Sequence, residues 1–213
     1  MRKNLIFDVD GTIWNSTEVA AEGWNRAIRE TIGDGPVITA QVLQREFGQT
    51  MDVVADHLFP DVTDMEKRRQ LMDKCCEYEH LYLERNTRDL AYPGVAEEME
   101  KLAQSYDLYI VSNCQIGYIE LVMSKTGIGP FIRDHECYGN TGTCKGETIR
   151  VLMERHGMRP EETVYIGDTM GDYEACAIAG IPFVFAAYGF GEVKEAAYRI
   201  ERFAQLEETV GRM

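Results

Sequence analysis

The 213-residue sequence is poor in cations and has no long apolar run. Its 22 Lys and Arg against 36 Asp and Glu give a net charge of −14. This argues against a nucleic-acid or anionic-membrane partner, because phosphate surfaces require clustered cations. No apolar stretch approaches the roughly 20 residues of a membrane span, and no signal-peptide cleavage site follows the N-terminus. We therefore expect a cytoplasmic protein. A small anionic substrate stays possible, because a bound metal can reverse the local field.

The cysteines and histidines lack the spacing of metal ligands. The six cysteines include no CxxC pair, and the four histidines are scattered. In a reducing compartment most of these cysteines would be free thiols, so a zinc or disulfide role is disfavoured. The sequence also has no internal repeat, no P-loop and no dinucleotide-binding glycine motif. With 45% hydrophobic residues, the composition is that of an ordinary globular protein.

Four short apolar segments predict strands that are buried on both faces of a parallel sheet. They cover residues 5–7, 108–111, 163–166 and 182–185. Apolar residues at helical spacing predict intervening helices over 94–104, 116–125 and 146–156. This alternation predicts an α/β fold with a doubly wound parallel-sheet, Rossmann-like core. In such sheets ligands bind beyond the carboxyl ends of the strands, where Asp8, Ser112 and Asp168 would meet.

Residues 14–89 interrupt this alternation with an all-helical pattern. Helices are predicted over residues 16–32, 39–47, 51–58 and 64–85. Thr39 and Asp64 are candidate N-caps, and Gly33, Gly48 and Pro60 are candidate stops. We expect two domains: a catalytic core of residues 1–13 and 90–213, and an inserted all-helical cap domain of residues 14–89. The indole side chains Trp14 and Trp24 are interpreted as packing residues of that cap.

The most informative motif follows the first predicted strand and contains two carboxylates. Asp8 and Asp10 lie on one face of an extended chain, about 7 Å apart. Gly11 then allows a sharp turn and a close approach of the backbone to a ligand. Such a pair can also begin an ordinary loop, but the spacing disfavours an EF-hand. The rest of the sequence decides between these alternatives.

Four segments in a fixed order resemble the motifs of the haloacid dehalogenase superfamily. They are residues 7–12, residues 111–113, Lys145 and residues 167–172. The resemblance covers the chain nearly end to end, with a helical cap after the first motif. The segment 187–191 also looks like that of phosphoglycolate-phosphatase-like members. The resemblance implies a phosphoric monoester hydrolase that acts on a small phosphorylated metabolite, with Mg²⁺ as cofactor.

The resemblance also implies a role for each motif residue. Asp8 would be the nucleophile that forms an aspartyl phosphate, and Asp10 the general acid and base. Asp8, the Asp10 carbonyl and Asp168 would bind Mg²⁺, which prefers oxygen ligands. Asp172 would hold a metal-bound water or orient Lys145.

Phosphate binding would fall to the remaining motif residues. The expected contacts are Ser112, Asn113, Lys145 and the backbone amides of Gly11 and Thr12. Two alternatives stay open: Ser112 could be a helix N-cap, and Lys145 could be a solvated surface lysine. Where many relatives carry an aspartate, this chain has Asn15, which we expect to cap the first cap helix.

Substrate choice is assigned to the cap. The loop 48–50 lies between two predicted helices, where Gly48 would end one and Thr50 would cap the next. Gln49 could bind the substrate through its amide, although the loop could be a simple turn. Phosphoglycolate, a sugar phosphate and a nucleoside monophosphate all fit the motifs. Asp10 argues against a dehalogenase, whose halide leaves without a proton. A phosphomutase is the main alternative, and a non-catalytic binding protein is disfavoured by the intact motifs.

Overall fold

A computed structural model describes residues 3–213 of the chain, which divide into two compact units. The sheet unit contains the residues up to Asn15 together with Leu90–Met213, and the helical unit contains Ser16–Asp89. Across the described range, none of the helices has the length and apolar character needed to cross a membrane. The two units are described separately below.

The helical unit consists of four helices. They are α1 Thr17–Thr31, α2 Ala40–Glu46, α3 Met51–Leu58 and α4 Met65–Arg85. The predicted N-caps are confirmed: the Thr39 side chain accepts from the backbone of α2, and the Asp64 carboxylate accepts from that of α4. In the core of the unit, Trp24 Nε1 donates to the buried Glu79 at 2.7 Å. Trp24 therefore packs as predicted.

Two expectations for the start of this unit are wrong. Ser16, not Asn15, occupies the N-cap position of α1. The backbone N–H of Asn15 instead donates to the Leu90 carbonyl at 2.9 Å, within the sheet unit. Trp14 also belongs to the sheet unit, where its ring packs edge-on against Tyr118, and is not a packing residue of the helices.

The sheet unit is built on a six-stranded parallel sheet with the order β3-β2-β1-β4-β5-β6. The strands are β1 Lys3–Phe7, β2 Tyr106–Ser112, β3 Ile132–Cys137, β4 Thr163–Gly167, β5 Phe183–Ala186 and β6 Tyr198–Ile200. The predicted α/β doubly wound fold is confirmed. The direction of winding reverses beside β1, and ligands of open α/β sheets bind at such a switch point.

Helices flank the sheet and bury its apolar strands. They are α5 Val95–Leu102, α6 Tyr118–Thr126, α7 Tyr138–Thr141, α8 Lys145–His156, α9 Met170–Ala179 and α10 Leu206–Gly211. Helices α8 and α9 come unusually close at Gly146, where a Cβ atom would lie 2.6 Å from Cβ of Ile178. A glycine at this position therefore sets the separation of two helices that begin beside the strand ends.

Candidate active site

The carboxyl ends of three neighbouring strands bring the predicted motifs together. Asp8 follows β1, Ser112 ends β2, and Asp168 follows β4. Parallel pairing sets Phe7 opposite both Ile110 and Ile166, so the three strands end at the same edge of the sheet. All three polar side chains are buried.

Lys145 lies between two buried carboxylates. Its Nζ donates to Asp8 Oδ1 at 2.9 Å and to Asp172 Oδ1 at 2.6 Å. The side chain is only 4% exposed, because it is the first residue of α8 and points into the unit. The alternative of a solvated surface lysine is therefore wrong.

Asp172 is engaged by hydrogen-bond donors at both carboxylate oxygens. Oδ1 accepts from Lys145, and Oδ2 accepts from the backbone N–H groups of Asp168 at 3.2 Å and Thr169 at 3.0 Å. Thr169 and Asp172 form the capping box of α9. The helix cap thus fixes the carboxylate that holds the ammonium group.

Asp168 is oriented by the segment 187–191, to which the sequence analysis assigned no role in the site. Its Oδ2 accepts from the Phe190 backbone N–H at 2.7 Å, and its Oδ1 accepts from Thr12 Oγ1 at 3.3 Å. Gly189 permits this contact, since a Cβ atom there would lie 2.5 Å from Asp168 Oδ2. The close glycines 189 and 191 were the available signal, but nothing in their spacing indicates what they approach.

Two backbone N–H groups in the loop after Asp10 donate hydrogen bonds to carbonyls of the same short segment. The Gly11 N–H donates to the Trp14 carbonyl at 2.9 Å, and the Thr12 N–H donates to the Val9 carbonyl at 3.2 Å. Gly11 has φ +86°, as expected for the sharp turn. The predicted phosphate contacts of these two amides stay predictions.

Asp10 accepts two hydrogen bonds on one oxygen. Trp14 Nε1 donates to Asp10 Oδ1 at 3.0 Å, and the Tyr118 hydroxyl donates to the same atom at 2.8 Å. Neither contact could be read from the sequence. Tyr118 begins α6, in a different segment of the chain. Trp14 is only four residues from Asp10, but the direction of its ring depends on the fold.

The remaining predicted residues are placed as follows. Ser112 is not a helix N-cap, because Gly117 occupies that position of α6. Asn113 directly follows β2. Gln49 is exposed in the helical unit between α2 and α3, where its N–H donates to the Glu46 carbonyl at 3.0 Å. Thr50 holds the N-cap position of α3 without a side-chain cap bond. The binding roles of Ser112, Asn113 and Gln49 stay predictions.

Negative charge is in excess at the strand ends. Asp8, Asp168 and Asp172 each offer an oxygen within 4.8 Å of the others. Burial, with the neighbouring carboxylates, raises the pKa of Asp8 to about 7 and the pKa of Asp168 well above its usual range. Burial alone would lower the pKa of Lys145, but Asp172 and Asp8 raise it, so the ammonium stays charged. One ammonium against three carboxylates fits a site for a hard divalent cation with oxygen ligands.

The family of the chain follows from comparison with known proteins. The model of the haloacid dehalogenase-like hydrolases matches residues 5–186, and the chain therefore belongs to this family. A phosphoglycolate phosphatase of Vibrio vulnificus is 26% identical over 233 residues, covering 98% of this chain and 96% of that protein. Within the family the chain is a phosphatase of the phosphoglycolate-phosphatase-like kind, as the sequence predicted.

Solved structures share the fold. A predicted phosphoglycolate phosphatase from Haemophilus somnus superposes with a TM-score of 0.84 at 22% identity, covering 98% of both chains. The HAD-hydrolase YfnB from Bacillus subtilis, bound to magnesium, superposes with a TM-score of 0.74 at 20% identity, covering 99% of both chains. At these identities the likeness concerns the fold alone.

Proposed function

We propose that this phosphatase hydrolyses a small phosphorylated metabolite through an aspartyl phosphate on Asp8, with Mg²⁺ as its cofactor. The observation that carries the proposal is the buried ammonium of Lys145, which contacts Asp8 and Asp172 beside Asp168. Phosphoglycolate is the first substrate to test, ahead of sugar phosphates and nucleoside monophosphates, because curated relatives are phosphoglycolate phosphatases. The six free thiols support a reducing compartment such as the cytoplasm.

Asp8 is the nucleophile in this proposal. Its backbone N–H donates to the Ile166 carbonyl at 2.8 Å, and Lys145 holds its Oδ1, which leaves Oδ2 to attack phosphorus. The bond from Oδ2 to phosphorus forms as the bond from phosphorus to the leaving oxygen breaks. The ammonium of Lys145 lowers the repulsion between the carboxylate and the phosphoryl group.

Asp10 is the general acid and base in this proposal. It protonates the leaving oxygen in the first step, then takes a proton from the water that attacks phosphorus and releases Asp8. General acid and base catalysis of this kind contributes roughly 10²–10⁴-fold to the rate. Ser112 and Asn113 would donate hydrogen bonds to the phosphoryl oxygens from the end of β2.

Asp8, Asp168 and the Asp10 carbonyl would hold the metal. Asp172 is the weaker candidate ligand, because the Lys145 ammonium holds one of its oxygens at 2.6 Å and two backbone N–H groups hold the other, whereas Asp168 accepts one hydrogen bond on each oxygen and none from a charged group. When bound, Mg²⁺ would offset the negative charge that accumulates between nucleophile and phosphate. The Phe190 N–H and the Thr12 hydroxyl would keep the Asp168 carboxylate oriented toward it.

The proposal is tested by phosphate release from a panel of phosphorylated metabolites, with Mg²⁺ and with excess chelator. Turnover should depend on Mg²⁺, and Ca²⁺ should inhibit, because its larger coordination shell lets Asp8 bind without attacking. Acid-quenched wild-type enzyme should carry label from the phosphoryl group, and Asp8→Asn should carry none. Asp73→Asn, an exposed aspartate on α4, is the matched control.

Two results would contradict the proposal. Full activity in excess chelator would exclude a requirement for Mg²⁺. Phosphoryl label retained on Asp8→Asn would exclude Asp8 as the nucleophile. Isomerisation of a sugar phosphate in the presence of its bisphosphate, without net release of phosphate, would instead identify a phosphomutase.

A further inference from the structure

We propose that Trp14 and Tyr118 are positioning residues for Asp10, which fix one carboxylate oxygen as an acceptor and thereby place the transferred proton on the other. The inference rests on the proposed function, in which Asp10 is the general acid and base. It assigns a role to two aromatic side chains that lie outside the four sequence motifs and contact the first of them through Asp10.

The two hydrogen bonds converge on a single atom. The indole Nε1 of Trp14 lies 3.0 Å from Asp10 Oδ1, and the Tyr118 hydroxyl lies 2.8 Å from it. An indole N–H can only donate. With the Tyr118 hydroxyl also donating, both lone pairs of Asp10 Oδ1 are occupied, so a proton on Oδ1 would cost one of these two hydrogen bonds, whereas a proton on Oδ2 would cost neither. The proton that the reaction moves is consequently carried on Oδ2.

Trp14 is held firmly enough to impose this geometry. Its carbonyl accepts from the Gly11 N–H at 2.9 Å, and its own N–H lies 3.3 Å from the Val9 carbonyl. It also forms β-bridges with Asp10 and with Ala91. The ring is 1% exposed. The loop that carries Asp10 thus carries its first donor in a fixed position.

Tyr118 supplies the second donor from a separate element. It is the first residue of α6, directly after Gly117, whose φ of +87° starts the helix at this point. Its ring is 1% exposed and packs edge-on against Trp14, with 5.8 Å between ring centroids. The two donors therefore support each other, and together they tie the loop after β1 to the helix after β2.

Losing either donor should affect proton transfer more than phosphate binding. An Asp10 carboxylate with one bond removed can rotate away from the leaving oxygen, while the contacts of Lys145 with Asp8 stay intact. A poor leaving group, such as an alkoxide, needs the proton in the transition state, whereas nitrophenolate does not. A dependence on the leaving group therefore separates positioning from a purely structural role.

The experiment compares Tyr118→Phe and Trp14→Phe with the wild type on two substrates, the best alkyl phosphate of the panel and 4-nitrophenyl phosphate. Because kcat/KM reports steps up to the first phosphoryl transfer, it isolates the protonation of the leaving group. We expect kcat/KM to fall about 10-fold on the alkyl ester and less than about 2-fold on the aryl ester. Tyr109→Phe is the control, because it removes the hydroxyl of a buried tyrosine that interacts with Arg133 on β3 and not with Asp10.

If kcat/KM falls equally on both substrates, or falls on neither, the inference is overturned. Tyr118→Phe preserves the ring contact, so it decides the question even if Trp14→Phe does not fold. Asp10→Asn is measured alongside to separate the two proposals. If Asp10→Asn changes the ratio between the substrates and the aromatic variants do not, only the positioning role fails. If Asp10→Asn leaves the ratio unchanged, the proposed acid role of Asp10 fails, and the inference with it.

Discussion

Replacing Lys145 by methionine removes the ammonium group that lies between Asp8 and Asp172. With the metal chelated, at about pH 8, we expect Lys145→Met to lower the free energy of unfolding by about 3–5 kcal/mol. Methionine has nearly the length of lysine and fills the same space, so the loss would arise from charge and not from a cavity.

The magnitude follows from the two contacts. At 2.9 Å from Asp8 and 2.6 Å from Asp172, each attraction is about 6 kcal/mol for an effective dielectric constant of about 20. Several kcal/mol of desolvation penalty for the buried ammonium offset part of this attraction. The variant also leaves the carboxylates of Asp8, Asp168 and Asp172 within 4.8 Å of one another without the cation. Their mutual repulsion is relieved only when protons bind.

The assay is urea unfolding of both proteins in excess chelator, at about pH 8 and at about pH 5. Protonation of the buried carboxylates at the lower pH should make the loss smaller there. Lys194→Met is the control, because the ion pair of Lys194 with Glu192 is 78% and 76% exposed and should contribute little. Adding Mg²⁺ should restore part of the lost stability, because a divalent cation replaces the missing charge.

Two results would refute the reasoning. A loss no larger than that of Lys194→Met would show that the buried ion pairs do not stabilise the strand ends. A loss that is the same at both pH values would show that it does not come from unpaired carboxylates.

Three further predictions concern the metal ligand, the nucleophile and the helical unit. Gly189→Ala should destabilise the fold by about 1–3 kcal/mol and weaken Mg²⁺ binding in calorimetry, because its Cβ atom would lie 2.5 Å from Asp168 Oδ2. The control Gly171→Ala, whose Cβ atom would meet no atom closer than 3.6 Å, should have neither effect. The pKa of Asp8 is raised from 3.8 to about 7, so the folded state retains a proton that the unfolded chain loses. In chelator the free energy of unfolding should therefore fall as pH rises across this window, and Asp8→Asn should lack that fall. Gln49→Ala should lower kcat/KM about 5- to 150-fold on the best metabolite but not on an aryl phosphate; equal effects would exclude a role in substrate choice.

The sequence predicts the central strands well and the edge strands poorly. Strands β1, β2, β4 and β5 are apolar because helices cover both faces of the sheet there. The edge strands β3, with the sequence IRDHEC, and β6, with YRI, were not predicted. An edge strand is covered on fewer sides, so its residues alternate irregularly between exposed and buried and leave no apolar run.

The same limit applies to the site. Asp8 and Asp168 could be predicted because each follows a predicted strand and the strand ends of a parallel sheet converge. Lys145 was predicted only from the resemblance to the haloacid dehalogenase superfamily. The donors to Asp10 and the backbone contact of Phe190 with Asp168 depend on which side chains meet in space. Trp14 was misassigned for this reason: its position between two predicted domains did not indicate the side on which its ring would pack.

The hydrogen bond from the Asn15 N–H to the Leu90 carbonyl closes the base of the insertion between β1 and the remainder of the sheet unit. The two ends of the inserted segment are therefore held together at this hydrogen bond. The free energy of closing a loop grows only with the logarithm of its length, so the length of the segment has little effect on the cost of bringing its ends together. We therefore expect changes in the length of residues 16–89 to leave the contacts at the strand ends unchanged. For the protein engineer, the same junction marks where a foreign helical segment could be spliced in.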